Sequence, residues 1–145
     1  MSSYTIYKKT NGWIDQNVAC PPRSLKNYLQ EDSNNEYLKG HYPSSKYYVD
    51  LSTKTPEEKP QIQPEFDKAR IKADGEDIIV ITNLPTDDLN GNPIETEVRV
   101  SGTEYPINDG NLELSVDAPG EYTINIRATN HKPYRTTIQA YDDED

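Results

Sequence analysis

Residues 71–100 read IKADGEDIIVITNLPTDDLNGNPIETEVRV, and residues 111–128 follow with NLELSVDAPGEYTINIRA. Runs rich in β-branched residues alternate here with the turn dipeptides Asp74-Gly75, Asn90-Gly91 and Pro119-Gly120. Short strands cut by tight turns every 8–12 residues mark an antiparallel sandwich. Strands are predicted near 67–73, 76–83, 95–101, 103–107, 111–116, 120–129 and 134–141. Along 120–128, Tyr122, Ile124 and Ile126 share one face, and Thr123, Asn125 and Arg127 share the other. Val98 and Val100 alternate in the same way.

The chain before this stretch has a different character. SYTIYKK at 3–9 and WIDQNVA at 13–19 flank Thr10-Asn11-Gly12, and Asn-Gly between two β-prone runs is a hairpin signal. Cys20-Pro21-Pro22 ends the second strand, because proline brings no donor to a ladder. Ser24 is placed to cap a short helix over 25–30, with Leu25, Tyr28 and Leu29 on one face. Two more short strands are predicted at 36–39 and 46–51, the second carrying KYYVDL. Pro56, Pro60 and Pro64 then recur every four residues around Glu57-Glu58-Lys59, which favours an extended spacer. The predicted organisation is all-β: a Tyr-rich segment at 1–52, a Pro-rich linker at 53–65, an Ig-like β-sandwich at 66–141 and an acidic tail at 142–145.

Composition narrows the function. Hydrophobic residues make up only 32% of 145 residues, with one Trp, one Phe and eleven Tyr, so the core is modest. Residues 1–60 hold eight Lys/Arg against seven Asp/Glu, whereas residues 61–145 hold seven against eighteen, a balance of −11. An acidic surface repels phosphates, so nucleic-acid binding is not expected. Cys20 is the only cysteine, which excludes an internal disulfide and a Cys-based zinc site. No 18-residue apolar run is present, and MSSYTIYKKTNG is too polar for a signal segment, so no membrane association or signal-directed export is expected.

Asp87, Asp88, Asn90 and Asn92 supply closely spaced oxygens, but the order D-D-L-N-G-N-P lacks the bidentate Glu of a calcium loop and reads as a plain turn. Glu57-Glu58 and the 142–145 run lack the pocket that acid–base pairs need. Ser24, Cys20, His41 and His131 sit in no nucleophile motif. No cofactor is implied, and the expectation is a chain that is not an enzyme. Seven tyrosines in the first 60 residues, with Trp13, are more than so short a segment needs. They have two readings: an aromatic docking interface, for which Trp13, Tyr42, Tyr47 and Tyr48 are the candidates, or a small core built from tyrosine itself.

Two resemblances add to this. Ala73-Asp74-Gly75, the turn Asp88-Leu89-Asn90-Gly91-Asn92-Pro93 and the strand entry Ala118-Pro119-Gly120-Glu121-Tyr122-Thr123 resemble bacterial Ig-like domains over about 67–130. The 86–97 turn is longer and more polar than in compact members. YPSSKYYVD at 42–50, followed by Pro56, Pro60 and Pro64, resembles small accessory proteins of tailed bacteriophages. That likeness implies a virion protein, made in the host cytoplasm, that docks in many copies on tail, collar or capsid proteins and displays its Ig-like domain. A tail-fibre assembly chaperone or adaptor is the alternative, and a carbohydrate-binding module is a third reading, short of the exposed aromatics such modules use.

Overall fold

The computed structural model describes residues 2–29 and 34–142, so the end of the predicted 25–30 helix and most of the 142–145 tail lie outside the described residues. The chain is all-β and divides into two units, Met1–Pro60 with Asp88–Asn92, and Gln61–Asp87 with Pro93–Asp145.

In the first unit, β1 (Ser2–Lys8) and β2 (Ile14–Cys20) form the predicted antiparallel hairpin. Its turn is held by Gly12 N–H to the Lys8 carbonyl (2.8 Å) and by the Asn11 side chain accepting Trp13 N–H (2.9 Å). A 3-10 turn at Pro22–Ser24 precedes α1 (Lys26–Leu29). Helical conformation therefore begins earlier than predicted, and Pro21, not Ser24, is the entry residue; Pro22 has the fixed φ of a first helical position. β3 (Asn35–Lys39) pairs with the other side of β1, giving the order β2-β1-β3.

β1 is buried on both faces: Tyr4, Thr5, Ile6 and Tyr7 are all inside. Tyr4 packs with Cys20 and Leu25 beside Val18 and Leu29, whereas Tyr7 packs with Ile14 and Val49 beside Leu38, Tyr42, Tyr47 and Leu51. Ile14 has the same parity as Val18 and Cys20, and in a regular strand it would share their face. A register shift, Ile6 opposite Gln16 but Tyr7 opposite Ile14, turns Ile14 to the other side.

The Pro-rich stretch is not a free spacer. β4 (Tyr47–Asp50) pairs antiparallel with β5 (Thr55–Glu58), Pro56 lying opposite Val49, and Lys59 N–H continues the ladder to the Lys46 carbonyl. Proline is tolerated because each strand of a two-stranded ribbon has an unpaired edge. The second unit then begins at Gln61, which bridges to Lys132, and Ile62 is in its core. The boundaries thus fall at 60/61 where a linker over 53–65 was expected.

The D-L-N-G-N segment also departs from expectation, because Asp88–Asn92 belongs to the first unit. The Asn90 amide donates to the carbonyls of Asn11 (2.8 Å) and Val49 (3.0 Å) and accepts Leu51 N–H (2.9 Å). Asn92 donates to the Thr10 carbonyl (2.7 Å). The buried Asp88 carboxylate accepts the N–H groups of Asn90 (2.8 Å) and Asn92 (3.1 Å), which fixes the turn.

The second unit contains β6 (Glu65–Phe66), β7 (Arg70–Lys72), β8 (Ile79–Thr82), β9 (Thr96–Val100), β10 (Thr103–Ile107), β11 (Leu112–Leu114), β12 (Gly120–Arg127) and β13 (Tyr134–Tyr141). They make two sheets, β10-β9-β12-β13-β7 and β11-β8-β6, and one apolar cluster drawn from both forms the core of a sandwich. The strand predicted at 67–73 is really two, one in each sheet: β6 pairs with β8, and β7 runs parallel to β13. Asp67 lies at the break, where its carboxylate accepts Val80 N–H (2.8 Å) while its own N–H donates to the Val80 carbonyl (3.1 Å). The Tyr122 hydroxyl donates to the Ala118 carbonyl four residues upstream (2.7 Å), the corner found where an immunoglobulin-type sandwich enters its sixth strand. Ile71, Ile79, Ile81, Ile124 and Ile126 are fully buried; truncating any one to Ala would cost about 2–5 kcal/mol.

Two glycines should separate steric closeness from backbone preference. A Cβ on Gly12 (φ +75) would lie 2.0 Å from the Val49 carbonyl oxygen, whereas one on Gly91 (φ +87) would meet nothing within 4 Å. Gly12→Ala is expected to cost about 2–4 kcal/mol and Gly91→Ala about 1–2 kcal/mol in urea unfolding. Equal losses would show that the Gly12 contact relaxes freely.

Candidate functional site

Of the four aromatic residues predicted for docking, Tyr42 and Tyr47 pack on a core cluster of the first unit, and Trp13 and Tyr48 are half-buried. Tyr42 and Tyr47 meet edge to face with ring centroids 5.5 Å apart, on the cluster of Tyr7, Ile14 and Val49. Trp13 lies half-buried beneath the Lys59 ammonium, 4.1 Å from its ring centroid. Lys59 is only 6% exposed, and burial pushes its ammonium pKa down, so the aromatic face is what compensates the cation. Tyr48 points to the opposite side of β4 from Tyr47, half-buried; desolvation, then Asp50 and Glu57, raises its hydroxyl pKa.

Tyrosine in a core brings a hydroxyl that must be satisfied. Tyr7 is 1% exposed and its hydroxyl donates to Glu36 Oε2 (2.8 Å). Burial, then the Glu36 bond, pushes the phenol pKa well up, and that bond leads the causes holding the Glu36 carboxyl below its ordinary range. Thr5 is fully buried, and its hydroxyl oxygen accepts Tyr42 N–H (3.0 Å) within reach of the Asn17 side-chain oxygen (2.7 Å) and the Gly40 carbonyl (2.9 Å).

The exposed aromatics of this unit are not among the four candidates expected from sequence. Tyr37 on β3 is 48% exposed and Tyr28 on α1 is 38% exposed. Tyr37 rests edge-on against Tyr4, centroids 5.7 Å apart, with its other surface open to solvent. β3 is an outer strand of its sheet. In NEYLK the alternation places Tyr37 and Leu38 on opposite faces, but nothing local says which face is covered.

A second site lies on the sandwich, on the outward face of the five-stranded sheet. Val98, Val100, Ile124, Ile126, Ile138 and Ala140 point inward, so the intervening residues face out. Arg135, Asn125 and Arg99 form one cross-strand row, and Arg127 lies opposite Glu97 in another. Arg70, beside Gln139 in the ladder, stacks on Tyr141 at 4.7 Å. All four arginines of residues 61–145 are thus gathered on one face of a strongly acidic unit. Arg99 pairs with Glu104 and with Glu97 (3.3 Å), and Glu104 is the main cause that raises its pKa. Arg127 and Arg135 are exposed and have no ion-pair partner among the described residues. A shallow cavity of about 170 Å³ is lined by Glu97, Arg99, Asn125 and Arg127. Alternation along β12 alone places Thr123, Asn125 and Arg127 on one face, whereas Arg99 and Arg135 come from other strands and carry no local signal.

The remaining candidates have structural places. Cys20 is buried against Tyr4 and Leu25, a His131 ring nitrogen lies 2.8 Å from the Thr129 carbonyl, and Glu57 and Glu58 are exposed on β5.

No family model matches the chain, and no curated protein matches it. Among solved structures it is similar to a glycosyl hydrolase family 2 member from Bacteroides cellulosilyticus, at 12% identity and a TM-score of 0.38. That likeness covers 96% of this chain and 21% of the other, so the chain spans about a fifth of that structure's length. The fold class is carried by the strand order above, and no activity is transferred from so distant a likeness.

Two outcomes follow from the tyrosines. Tyr42→Ala or Tyr47→Ala should cost about 3 kcal/mol or more in urea unfolding, whereas Tyr28→Ala should change stability by less than about 1 kcal/mol. Tyr7→Phe should cost about 1 kcal/mol at neutral pH by removing the hydroxyl that Glu36 accepts. Because the folded-state pKa of Glu36 is lowered, its contribution is present above its ordinary value of 4.5 and is lost as pH falls through the folded value. The gap between wild type and Tyr7→Phe should therefore narrow on acidification; a constant gap would detach Glu36 from the stability of this unit.

Proposed function

We propose that this chain is a non-enzymatic structural component of a tailed-phage virion, tail, collar or capsid-associated, anchored by its N-terminal unit and displaying the acidic sandwich. The observation that supports it most is the exposure of Tyr37 and Tyr28 on β3 and α1, in a unit that packs Tyr4, Tyr7, Tyr42 and Tyr47 into its own clusters. Large aromatics in solvent are what docking surfaces retain, and a tyrosine leaves only one hydroxyl to satisfy when covered. Charge supports the same polarity. Residues 1–60 carry a net +1, whereas residues 61–145 carry −11, so the first unit brings far less unbalanced charge to a contact. Repetition on a symmetric particle turns a modest contact into firm attachment.

The test places a photo-crosslinking residue at position 37 and isolates particles from the producing host. An adduct with one larger particle protein, and stoichiometric presence in purified particles, is the expected result. Tyr28→Ala with Tyr37→Ala should strip the protein from particles while the purified variant unfolds as cooperatively as wild type. Absence from mature particles would replace this reading by that of an assembly chaperone, and undiminished incorporation of the double variant would move the anchor elsewhere.

A further inference from the structure

We propose that the outward face of the five-stranded sheet is a binding site for a carboxylated, uronic-acid-type polysaccharide, centred on Asn125 and bracketed by Arg99, Arg127 and Arg135. The inference is independent of how the chain is anchored. Neighbouring strands lie about 4.8 Å apart, so Arg135 and Arg99 flank Asn125 at roughly 10 Å from each other. Arg127 is two residues along β12 from Asn125, about 7 Å away on the same face. Arg99 and Arg127 line, with Asn125 and Glu97, a cavity of about 170 Å³, room for roughly six waters at ~30 Å³ each, and Arg135 stands next to Asn125 on the adjoining strand.

Charge selects the acid group. Arg99 is engaged by Glu97 and Glu104, whereas Arg127 and Arg135 are exposed and without ion-pair partners among the described residues, so these five side chains sum to +1 within a unit that is otherwise acidic. A guanidinium fork matches a planar carboxylate in two parallel hydrogen bonds. A local excess of one positive charge accepts a carboxylate, but the surrounding −11 repels a polyphosphate such as a nucleic acid. Geometry selects the sugar. The middle of a sheet face offers only side chains, and an acidic peptide satisfies its backbone at a sheet edge instead. Here the arginines are interleaved with Asn125, Thr123 and Thr137, whose amide and hydroxyl groups suit sugar hydroxyls.

Tetragalacturonate titrated into the ¹⁵N-labelled full chain tests this, with its methyl ester and an Asp-Glu tetrapeptide as comparison probes. Saturable shifts confined to β9, β12 and β13 are expected with the acid and none with the neutral ester. Arg127→Gln with Arg135→Gln should weaken binding about tenfold or more while the rest of the spectrum stays unchanged. Glu104→Gln, which removes one of the two carboxylates engaging Arg99, should tighten it severalfold. The proposal is overturned by no saturable shift, by equal binding of the ester, by equal or tighter binding of the peptide, or by shifts that survive the double substitution.

Discussion

Apolar residues are scarce in this chain, and where they go governs the rest. With hydrophobic residues at 32%, the aliphatic ones are concentrated in the sandwich, where isoleucines and valines from both sheets close a single core. The N-terminal unit is left to build its interior from Tyr4, Tyr7, Tyr42 and Tyr47 around a few aliphatic residues. A core made of tyrosine brings buried hydroxyls with it, and each needs a partner. The Tyr7–Glu36 bond is a consequence of that shortage, and the buried Lys59 ammonium lying over the Trp13 ring extends it.

The same shortage explains why polar side chains close the N-terminal unit. Asn90 is bound to two carbonyls and one N–H, replacing backbone pairing that no strand supplies. Such an arrangement works only if the backbone comes very close, which is why a glycine stands at position 12. The long polar turn, which resembles an insertion when set against compact Ig-like domains, is therefore a structural part of the first unit.

On the sandwich, function and stability are separated by the pleat. Inward residues of β9, β12 and β13 are aliphatic and fix the sheet, while outward residues make no demand on the core and are free to carry chemistry. Four arginines on such a face, within a unit of strong negative charge, create a local potential opposite in sign to its surroundings. The N-terminal unit has a comparable division: Tyr42 and Tyr47 face the interior, whereas Tyr37 and Tyr28 are left to solvent.

The sequence by itself determined the all-β class, the hairpin at Thr10-Asn11-Gly12 and nearly every strand of the sandwich, because turn chemistry and period-two alternation are local properties. It did not determine that 67–73 splits between two sheets, that 55–58 pairs with β4, or that Ile14 faces away from Val18; each depends on a partner strand distant in the chain. The candidate sites divide in the same way. An excess of tyrosine was legible in composition, but which tyrosines stay exposed depends on what covers each face. Arg99, Arg127 and Arg135 are separated by 28 and 8 positions in the chain. Only the order β9-β12-β13 brings them together, because hydrogen bonding between strands takes no account of distance along the sequence.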